Sequence, residues 1–261
     1  MSRKIRSVAK ACEIIRLLRE RNGATVSELS AATDLSPGTV HTHLATLREA
    51  NFVVQRDNEY HLGFQLLTLG EHVRHHQALY RAAKEQVDQL AEETGECAHL
   101  IIEHDGHMYA LYERFGPEAV GTEYHDRKRE QPLNHLHCTA AGKAILAAMS
   151  SDQARETLRR RELPQLTDHT ITDVDELMAE IEETQHRQYA IADEEQMHGI
   201  RAVGSPVTLP NRENIGAIAV SGPTARLPDD RLRESFAEKV IQATNICEVN
   251  LQSAEDRIDV R

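Results

Sequence analysis

The amino-acid sequence predicts an α+β protein of two domains: a small N-terminal domain of helices with one hairpin, then a linker helix and a larger domain of one sheet with packed helices. A chain of 261 residues is long enough for two modest domains, each with its own core. Apolar residues follow mainly helical spacing up to Thr94, and strand alternation first appears at Glu96. Residues 1–62 hold nine Lys or Arg against seven Asp or Glu, so the formal net charge of −12 belongs to the second domain.

The first two helices follow from spacing and capping signals. Residues Ser7 to Arg21 have helical periodicity, and Asn22-Gly23 ends that run. The predicted buried stripe of this helix comprises Val8, Ala11, Cys12, Ile14, Ile15 and Leu18. Thr25-Val-Ser-Glu28 matches the capping box, in which a threonine oxygen and a glutamate cap each other's free amides. It predicts a short helix through residues 29–33.

A third helix follows after the turn Asp34-Leu35. Ser36 is a good N-cap and Pro37 suits the first helical position, so a helix begins here and extends to Ala50. Its apolar stripe comprises Val40, Leu44 and Leu47. The opposite face has small or polar residues, which suits a helix entering a DNA major groove about 12 Å wide. An ordinary amphipathic helix with a polar outer face is the alternative for this segment taken alone.

The segment after Ala50 predicts a hairpin. Phe52-Val-Val54 and Tyr60-His-Leu62 flank the polar turn Arg56–Glu59. A helix, a helix-turn-helix and a hairpin in this order predict a winged helix DNA-binding domain over residues 1–65. Seven cations against two acids in the first 21 residues fit a phosphate-facing patch. The predicted DNA-binding residues are Arg3, Lys4, Arg6, Thr25, Ser36, Gly38, Thr39, His41, Thr42, His43, Thr46 and Arg56. His41 is placed to reach DNA, whereas His43 lies nearer the core stripe and fits a half-buried spacer or a phosphate contact.

Residues 64–94 contain two helical runs. The first, the predicted linker helix 66–78, has an apolar seam of Leu66, Leu69 and Val73. The second has a seam of Leu79, Ala83, Val87, Leu90 and Ala91 and ends at Gly95. Such a seam fits either a dimer contact or a bridge within one chain. Helix-turn-helix proteins usually bind paired half-sites, which favours the dimer.

The predicted second domain spans residues 79–251, and residues 252–261 form a tail. Alternating apolar residues on either side of Asp105-Gly106 predict a hairpin. Further strands are predicted at 189–193, 202–208 and 215–221, and helices at 139–149, 173–184 and 229–249. This mixture predicts a sheet with helices packed on it.

Several segments in register resemble the IclR-type transcriptional regulators. The likeness includes SVAKACEIIRLLRE, TVSELSAATDLSPGTVHTHLATLREANFV and YHLGFQLLTLG, then LYRAAKEQVDQLAEETGECAHLIIEHDG, PLNHLHCTAAGKAILA and IGAIAVSGPTARL. The resemblance implies a GAF-like effector-binding domain and a regulator that binds operator DNA as a homodimer or homotetramer. Family members often have Ser at Gly38 and Arg at Thr42, so the bases recognised here are not predicted.

By resemblance, the effector-binding positions are the amides of Ala140 and Ala141 and the residues Ala192, Ala202, Ala219 and Ser221. Relatives with small-acid effectors have polar side chains at most of these positions. Only Ser221 has a hydroxyl here, which predicts a larger or less polar effector. From the residues alone, small residues after Thr139 fit either an anion site at a helix start or close packing against the sheet.

Other functions are less well supported by the motifs. A phosphate loop needs glycine at His137 and Ser or Thr at Ala144, and a hydrolase needs more than Cys138 beside His137 or Ser221 before Gly222. We therefore predict no enzyme activity and no cofactor; a hydrolase, or a DNA-binding protein without an effector, is the alternative. The candidate metal ligands, His104, His107, His135, His137 and Cys138, match no standard zinc spacing.

The composition of the chain indicates its cellular location and the kind of organism it comes from. No apolar run is long enough to cross a membrane and no signal peptide is evident, which predicts a cytoplasmic protein without membrane contact. The cysteines are scattered, and we expect Cys12, Cys97, Cys138 and Cys247 to be small buried residues. Six Lys beside 24 Arg, no Trp and many acids resemble proteins of salt-loving archaea.

Overall fold

The structure, a computed structural model, describes residues 4–120, 135–208 and 215–256. The chain divides into two compact units, Met1–His75 and His76–Arg261. Unit one is helical with a two-stranded hairpin, and unit two contains a five-stranded sheet covered by helices. The predicted α+β class with two domains is therefore confirmed.

Unit one has the predicted order of a helix, a helix-turn-helix and a wing. Its elements are α1 (Arg6–Glu20), α2 (Val26–Ala32), α3 (Pro37–Glu49), β1 (Val53–Arg56), β2 (Glu59–Leu62) and α4 (Gln65–His76). β1 and β2 pair antiparallel, and Asp57 takes a φ of 52° in the turn between them. A small core that includes Ile14, Leu29, Val40 and Leu44 holds the three helices against the hairpin.

The predicted buried stripe of α1 is partly wrong. Val8 is 57% exposed and Cys12 is also exposed, whereas Ile14 and Leu18 are buried. Only the C-terminal half of α1 packs on the unit-one core, so apolar residues in its first turns remain at the surface. The expectation that every cysteine is buried fails for Cys12 and holds for the other three.

Unit two is an antiparallel sheet between two layers of helices. Its elements are α5 (Ala78–Thr94), β3 (Cys97–His104), β4 (His107–Phe115), α6 (Ala140–Ala148), α7 (Ser151–Arg159), α8 (Val174–Arg187), β5 (Ala190–Asp193), β6 (Ile200–Thr208), β7 (Ile215–Pro223) and α9 (Ala237–Asp256). The strand order is β4-β3-β7-β6-β5. A 3-10 turn, Leu136–Cys138, precedes α6, and a π-helical turn, Arg231–Phe236, precedes α9.

The two faces of the sheet have different cores. Alternate residues such as Leu100 and Val220 pack with α5 and α9, and the seam predicted on α5 is buried within this unit. Ile101 and Ala219 belong to the opposite face, which packs with α6, α7 and α8. Among the described residues, no helix combines the length and the apolar character that a membrane span requires.

Candidate functional site

The outer face of α3 is open to solvent and carries short side chains. Ser36 caps the helix by accepting the amide of Thr39, and the stripe of Val40 and Leu44 is fully buried. Gly38, Thr39, His41, Thr42 and Thr46 are exposed, and His43 is half-buried as its spacing predicts. The helix therefore presents an unobstructed, nearly uncharged face.

The hydroxyls of this face are engaged within the helix itself. Thr42 Oγ1 donates to the carbonyl of Gly38 at 3.0 Å, and Thr46 Oγ1 donates to that of Thr42 at 3.1 Å. The Ser36 and Thr39 hydroxyls lie 2.9 Å apart. Since the proton of Thr42 is used internally, its oxygen remains able to accept a hydrogen bond from a base amino group.

Unit one exposes several cations besides those of α3. Lys4, Arg6 and Arg56 are exposed, and Arg3 lies outside the described residues. Arg48 Nη1 donates to Gln55 Oε1 at 2.8 Å and so ties the end of α3 to the hairpin wing. Sequence reasoning did not identify this contact, because seven residues separate the partners and no motif joins them.

Thr25 has a structural role at the start of α2. Its hydroxyl accepts the amide of Glu28 at 3.3 Å, and its own amide donates to Glu28 Oε2 at 2.8 Å, which completes the predicted capping box. These hydrogen bonds from Thr25 hold the pKa of the Glu28 carboxyl below its usual value. Thr25 therefore caps α2 whether or not it also contacts DNA.

In unit two, the residues assigned by resemblance lie on one face of the sheet. Ala192, Ala202 and Ser221 are register partners on β5, β6 and β7, and Ala219 lies two residues before Ser221 on the same face. We call this set, together with the start of α6 at Ala140 and Ala141, the sensor face.

Helix α6 begins against the middle of this face. Thr139 accepts the amide of Gly142 at 3.0 Å, while the amides of Ala140 and Ala141 belong to the first turn, which has no partner within the helix. Gly204 on β6 permits the approach, because a Cβ there would lie 3.0 Å from the carbonyl carbon of Ala140. The sheet and the helix start are thus in direct contact.

Two further polar side chains lie on this face. His99 Nδ1 is 2.8 Å from Glu113 Oε1, and His99 Nε2 is 2.8 Å from Ser221 Oγ. We call this arrangement the polar chain Glu113–His99–Ser221. It was missed from sequence because the three residues belong to three different strands, β4, β3 and β7. The register of the strands brings the three side chains together. His99 lies opposite Glu113 on β4 and opposite Ala219 on β7, and Ser221 follows Ala219 by two residues on the same face.

A buried ion pair lies on the same helix as the start of the sensor face. Lys143 on α6 is 1% exposed, and its Nζ lies 2.6 Å from Glu195 Oε1. Thr170 Oγ1 donates to the carbonyl of Glu195 at 2.6 Å. Burial raises the pKa of the Glu195 carboxyl above its usual value, although Lys143 opposes this. The lysine that made this segment look like a phosphate loop thus has a partner inside the protein.

The candidate metal ligands do not converge in the part of the chain that the structure describes, where no three His, Cys, Asp or Glu side chains are arranged to hold an ion. His137 is buried, and its Nε2 lies 3.1 Å from the Pro164 carbonyl and donates to it. Burial lowers the pKa of the His137 ring below its usual value. Cys138 is also buried.

Comparisons with known proteins match both units. The family model "Bacterial transcriptional regulator IclR C-terminal" matches residues 71–248, and the model "Bacterial regulatory protein, arsR family" matches residues 10–54. The chain is 38% identical to the "Probable HTH-type transcriptional regulator ArcR" of Halobacterium salinarum, over 97% of this chain and 96% of that protein. The chain belongs to the IclR family. It is thus a DNA-binding transcriptional regulator.

Solved structures of IclR proteins share this fold. The Thermotoga maritima IclR structure has a TM-score of 0.73 at 24% identity and covers 95% of this chain and 99% of its own. An IclR homologue of Microbacterium hydrocarbonoxydans, solved with 4-hydroxybenzoate, has a TM-score of 0.74 at 19% identity, covering 92% and 99%. The predicted family and the two-domain architecture are confirmed.

Proposed function

We propose that this IclR-family chain binds operator DNA through α3 and the wing, and that a small-molecule effector bound at the sensor face changes the DNA affinity. The open outer face of α3, in a unit that also exposes Lys4, Arg6 and Arg56, is the observation that supports DNA binding. Fluorescence anisotropy with a DNA fragment from upstream of the gene and a shuffled fragment of equal length tests it. Equal affinity for both fragments at every salt concentration would contradict operator recognition.

The proposed DNA contacts fall into two classes. Residues of the α3 outer face read bases, so His41→Ala or Thr42→Ala should lower specific affinity more than nonspecific affinity. Cations contact phosphates, so Lys4→Ala should weaken all DNA alike and flatten the salt dependence. The proposed base readers and their neighbours on α3 are Ser36, Gly38, Thr39, His41, Thr42 and Thr46. The proposed phosphate contacts are Arg3, Lys4, Arg6, Thr25, His43 and Arg56.

The proposed effector binds at Ala140, Ala141, Ala192, Ala202, Ala219 and Ser221. The amides at the start of α6 favour an anionic group, because the positive end of the helix dipole lies there. Three alanines on the strands favour an apolar body beside that group. The homologue solved with 4-hydroxybenzoate is consistent with such a ligand. Calorimetry that shows tight binding of a small keto acid such as pyruvate would contradict the larger or less polar effector.

Effector binding in unit two changes the DNA affinity of unit one if the effector binds one arrangement of the assembly more tightly than another. An effector that prefers one arrangement of a paired assembly changes the spacing of the two α3 helices and therefore the DNA affinity. By thermodynamic linkage, operator DNA should change the affinity for the effector by the same factor as the effector changes the affinity for DNA. The alternative of a DNA-binding protein without an effector predicts that no metabolite changes operator binding.

We also propose a homo-oligomer, a dimer or a tetramer, with α4 in the contact. No residue of α4 is buried in the single chain, and Leu69 and Val73 on its predicted seam are 41% and 56% exposed. Leu69→Asp should lower the mass measured by light scattering, whereas Thr68→Asp on the adjacent exposed position should not. A monomeric wild-type chain at micromolar concentration would exclude the proposal.

Absence of enzyme activity is part of the proposal, and the polar chain supplies its sharpest test. Serine, histidine and glutamate follow one another in the order that serine hydrolases use. We expect no Ser221-dependent hydrolysis of 4-nitrophenyl acetate. A rate for the wild type that Ser221→Ala abolishes would establish the hydrolase alternative.

The proposed setting is the cytoplasm of a salt-loving archaeon, without membrane association. The excess of acids, the preference for Arg over Lys and the similarity to the Halobacterium protein support this source. Fractionation of cells that express the tagged chain from its own promoter tests the location.

A further inference from the structure

The polar chain Glu113–His99–Ser221 connects a carboxylate to a hydroxyl on the sensor face. The side chains of His99 and Glu113 are 12% and 7% exposed, and both hydrogen bonds of the ring measure 2.8 Å. Among the residues that the structure describes, the titratable side chains beside the ring include Glu113 from β4 and Cys97 from β3, whose Sγ is 3.9 Å from Nδ1. β7 contributes the Ser221 hydroxyl, and α6 contributes amides rather than titratable groups at its start.

The direction of these hydrogen bonds depends on the charge of the ring. An ionised Glu113 only accepts, so Nδ1 carries a hydrogen in either state. When His99 is neutral, Nε2 is an acceptor and takes the hydrogen of the Ser221 hydroxyl. When His99 is protonated, Nε2 donates to Ser221 Oγ, which frees the Ser221 hydrogen for another acceptor. Ser221 is therefore an acceptor toward a ligand in one state and a donor in the other.

We propose that His99, positioned by Glu113, sets the hydrogen-bond polarity of Ser221 and couples the binding of an anionic effector group to the uptake of one proton. The inference rests on the proposed effector function of the sensor face. A carboxylate needs a donor and is attracted by a cationic ring, so it selects the protonated state. The proton comes from solvent and remains on His99 while the ligand is bound. His99 and Glu113 thus determine which ligands the alanine-lined face accepts, although the resemblance assigns neither of them to it.

Since a carboxylate binds together with one proton on His99, affinity for a carboxylate should rise as the pH falls from 8 to 6, by roughly tenfold or more for one coupled proton. We would measure binding by calorimetry at both pH values for a series of aliphatic and aromatic monocarboxylates from pyruvate to 4-hydroxybenzoate. The matching primary amides, which are neutral, should bind without this dependence. At pH 7.5, the acids should give different enthalpies in phosphate and Tris, in the sense of proton uptake.

The variants separate this role from simple packing. His99→Gln keeps hydrogen-bonding groups but cannot titrate, so acids should bind with an affinity that no longer varies between pH 8 and 6. Glu113→Gln removes the carboxylate that favours the charged ring, so acids should bind more weakly at pH 7.5 and recover at lower pH. His107→Gln, at the turn end of β4, is the matched control and should retain the wild-type pH profile. Thermal midpoints of all three confirm that they are folded.

Three results would overturn the inference: a flat pH profile for acids in the wild type, an unchanged profile in His99→Gln, or binding of none of the acids. Failure of the proposed function has a different signature. In that case operator binding would be absent, or would not respond to an acid whose binding still depends on His99.

Discussion

At the residue scale, the burial of the Lys143 side chain is the feature that sequence patterns predict least well. Lysine is almost never fully buried unless it is paired, and here Glu195 supplies the pair at 2.6 Å. A second carboxylate, Glu180, lies 3.8 Å away and is itself bound by Arg187 at 2.6 Å. The ion pair thus connects α6 to the segment after β5 and to α8, which fixes the helix that begins the sensor face.

Removal of the lysine should therefore destabilise unit two. Lys143→Met leaves Glu195 buried without its cation, which we expect to cost about 3 kcal/mol of unfolding free energy at pH 7.5. Since burial already raises the pKa of Glu195, a carboxyl left without Lys143 is favoured in its protonated form by the folded state. Stability should thus be lost as the pH rises above the value near 4.5 that the unfolded chain has, and the variant should be closer to wild type at pH 5. Urea denaturation at both pH values measures this.

Two controls accompany that measurement. Lys143→Met combined with Glu195→Gln should recover much of the loss, because no charge is then buried. Arg160→Met breaks the exposed pair with Glu156 and should cost less than about 0.5 kcal/mol. A loss for Lys143→Met no larger than that for Arg160→Met would show that the buried pair contributes nothing.

At the scale of elements, the capping box of α2 is the strongest local signal in the chain. Thr25→Ala should lower the unfolding free energy of unit one by about 1 kcal/mol at pH 7. Thr25→Ser keeps the capping hydroxyl and should retain most of that 1 kcal/mol. The pKa of Glu28 is lowered in the folded protein. The contribution of Glu28 to the unfolding free energy is therefore fully present above pH 4.5 and is lost as the pH falls through the lower pKa of the folded state. The difference in unfolding free energy between wild type and Thr25→Ala should therefore shrink as the pH falls below 4.5. Chemical denaturation monitored by circular dichroism tests both trends.

Elements with local signals were predictable from the sequence. The three helices of unit one, the wing, the β3–β4 hairpin and the start of α6 at Thr139 follow from capping residues, turn residues and periodicity. Helix α7 was missed although Ser150 and Gln153 form a capping box there, because its apolar stripe is only Ala154 and Leu158.

Features that depend on contacts between distant segments were not predictable. The exposure of Val8 depends on where α1 meets its core, and the contact between Lys143 and Glu195 joins residues 52 positions apart. The polar chain needs the register of three strands. These contacts are fixed by tertiary packing, which a single sequence does not encode in any local pattern.

At the scale of the whole molecule, charge is divided unequally between the units. The first 62 residues have a small excess of cations, and the remainder holds 35 acids against 21 Lys or Arg. Each unit has a core of its own, so each can respond separately to salt. Screening weakens repulsion between like charges in unit two, while it also weakens attraction between DNA phosphates and the cations of unit one.

Salt should therefore move stability and DNA affinity in opposite directions. Raising KCl from 0.1 to 1 M shortens the screening length from about 10 Å to about 3 Å, and we expect the thermal midpoint of unit two to rise over this range and then level off. Operator affinity should fall over the same range with a slope set by the number of phosphate contacts. Calorimetric scans and anisotropy titrations at matched salt concentrations measure the two effects. A midpoint that keeps rising linearly beyond 1 M would assign the stabilisation to exclusion of salt from the protein surface rather than to screening of its acidic unit.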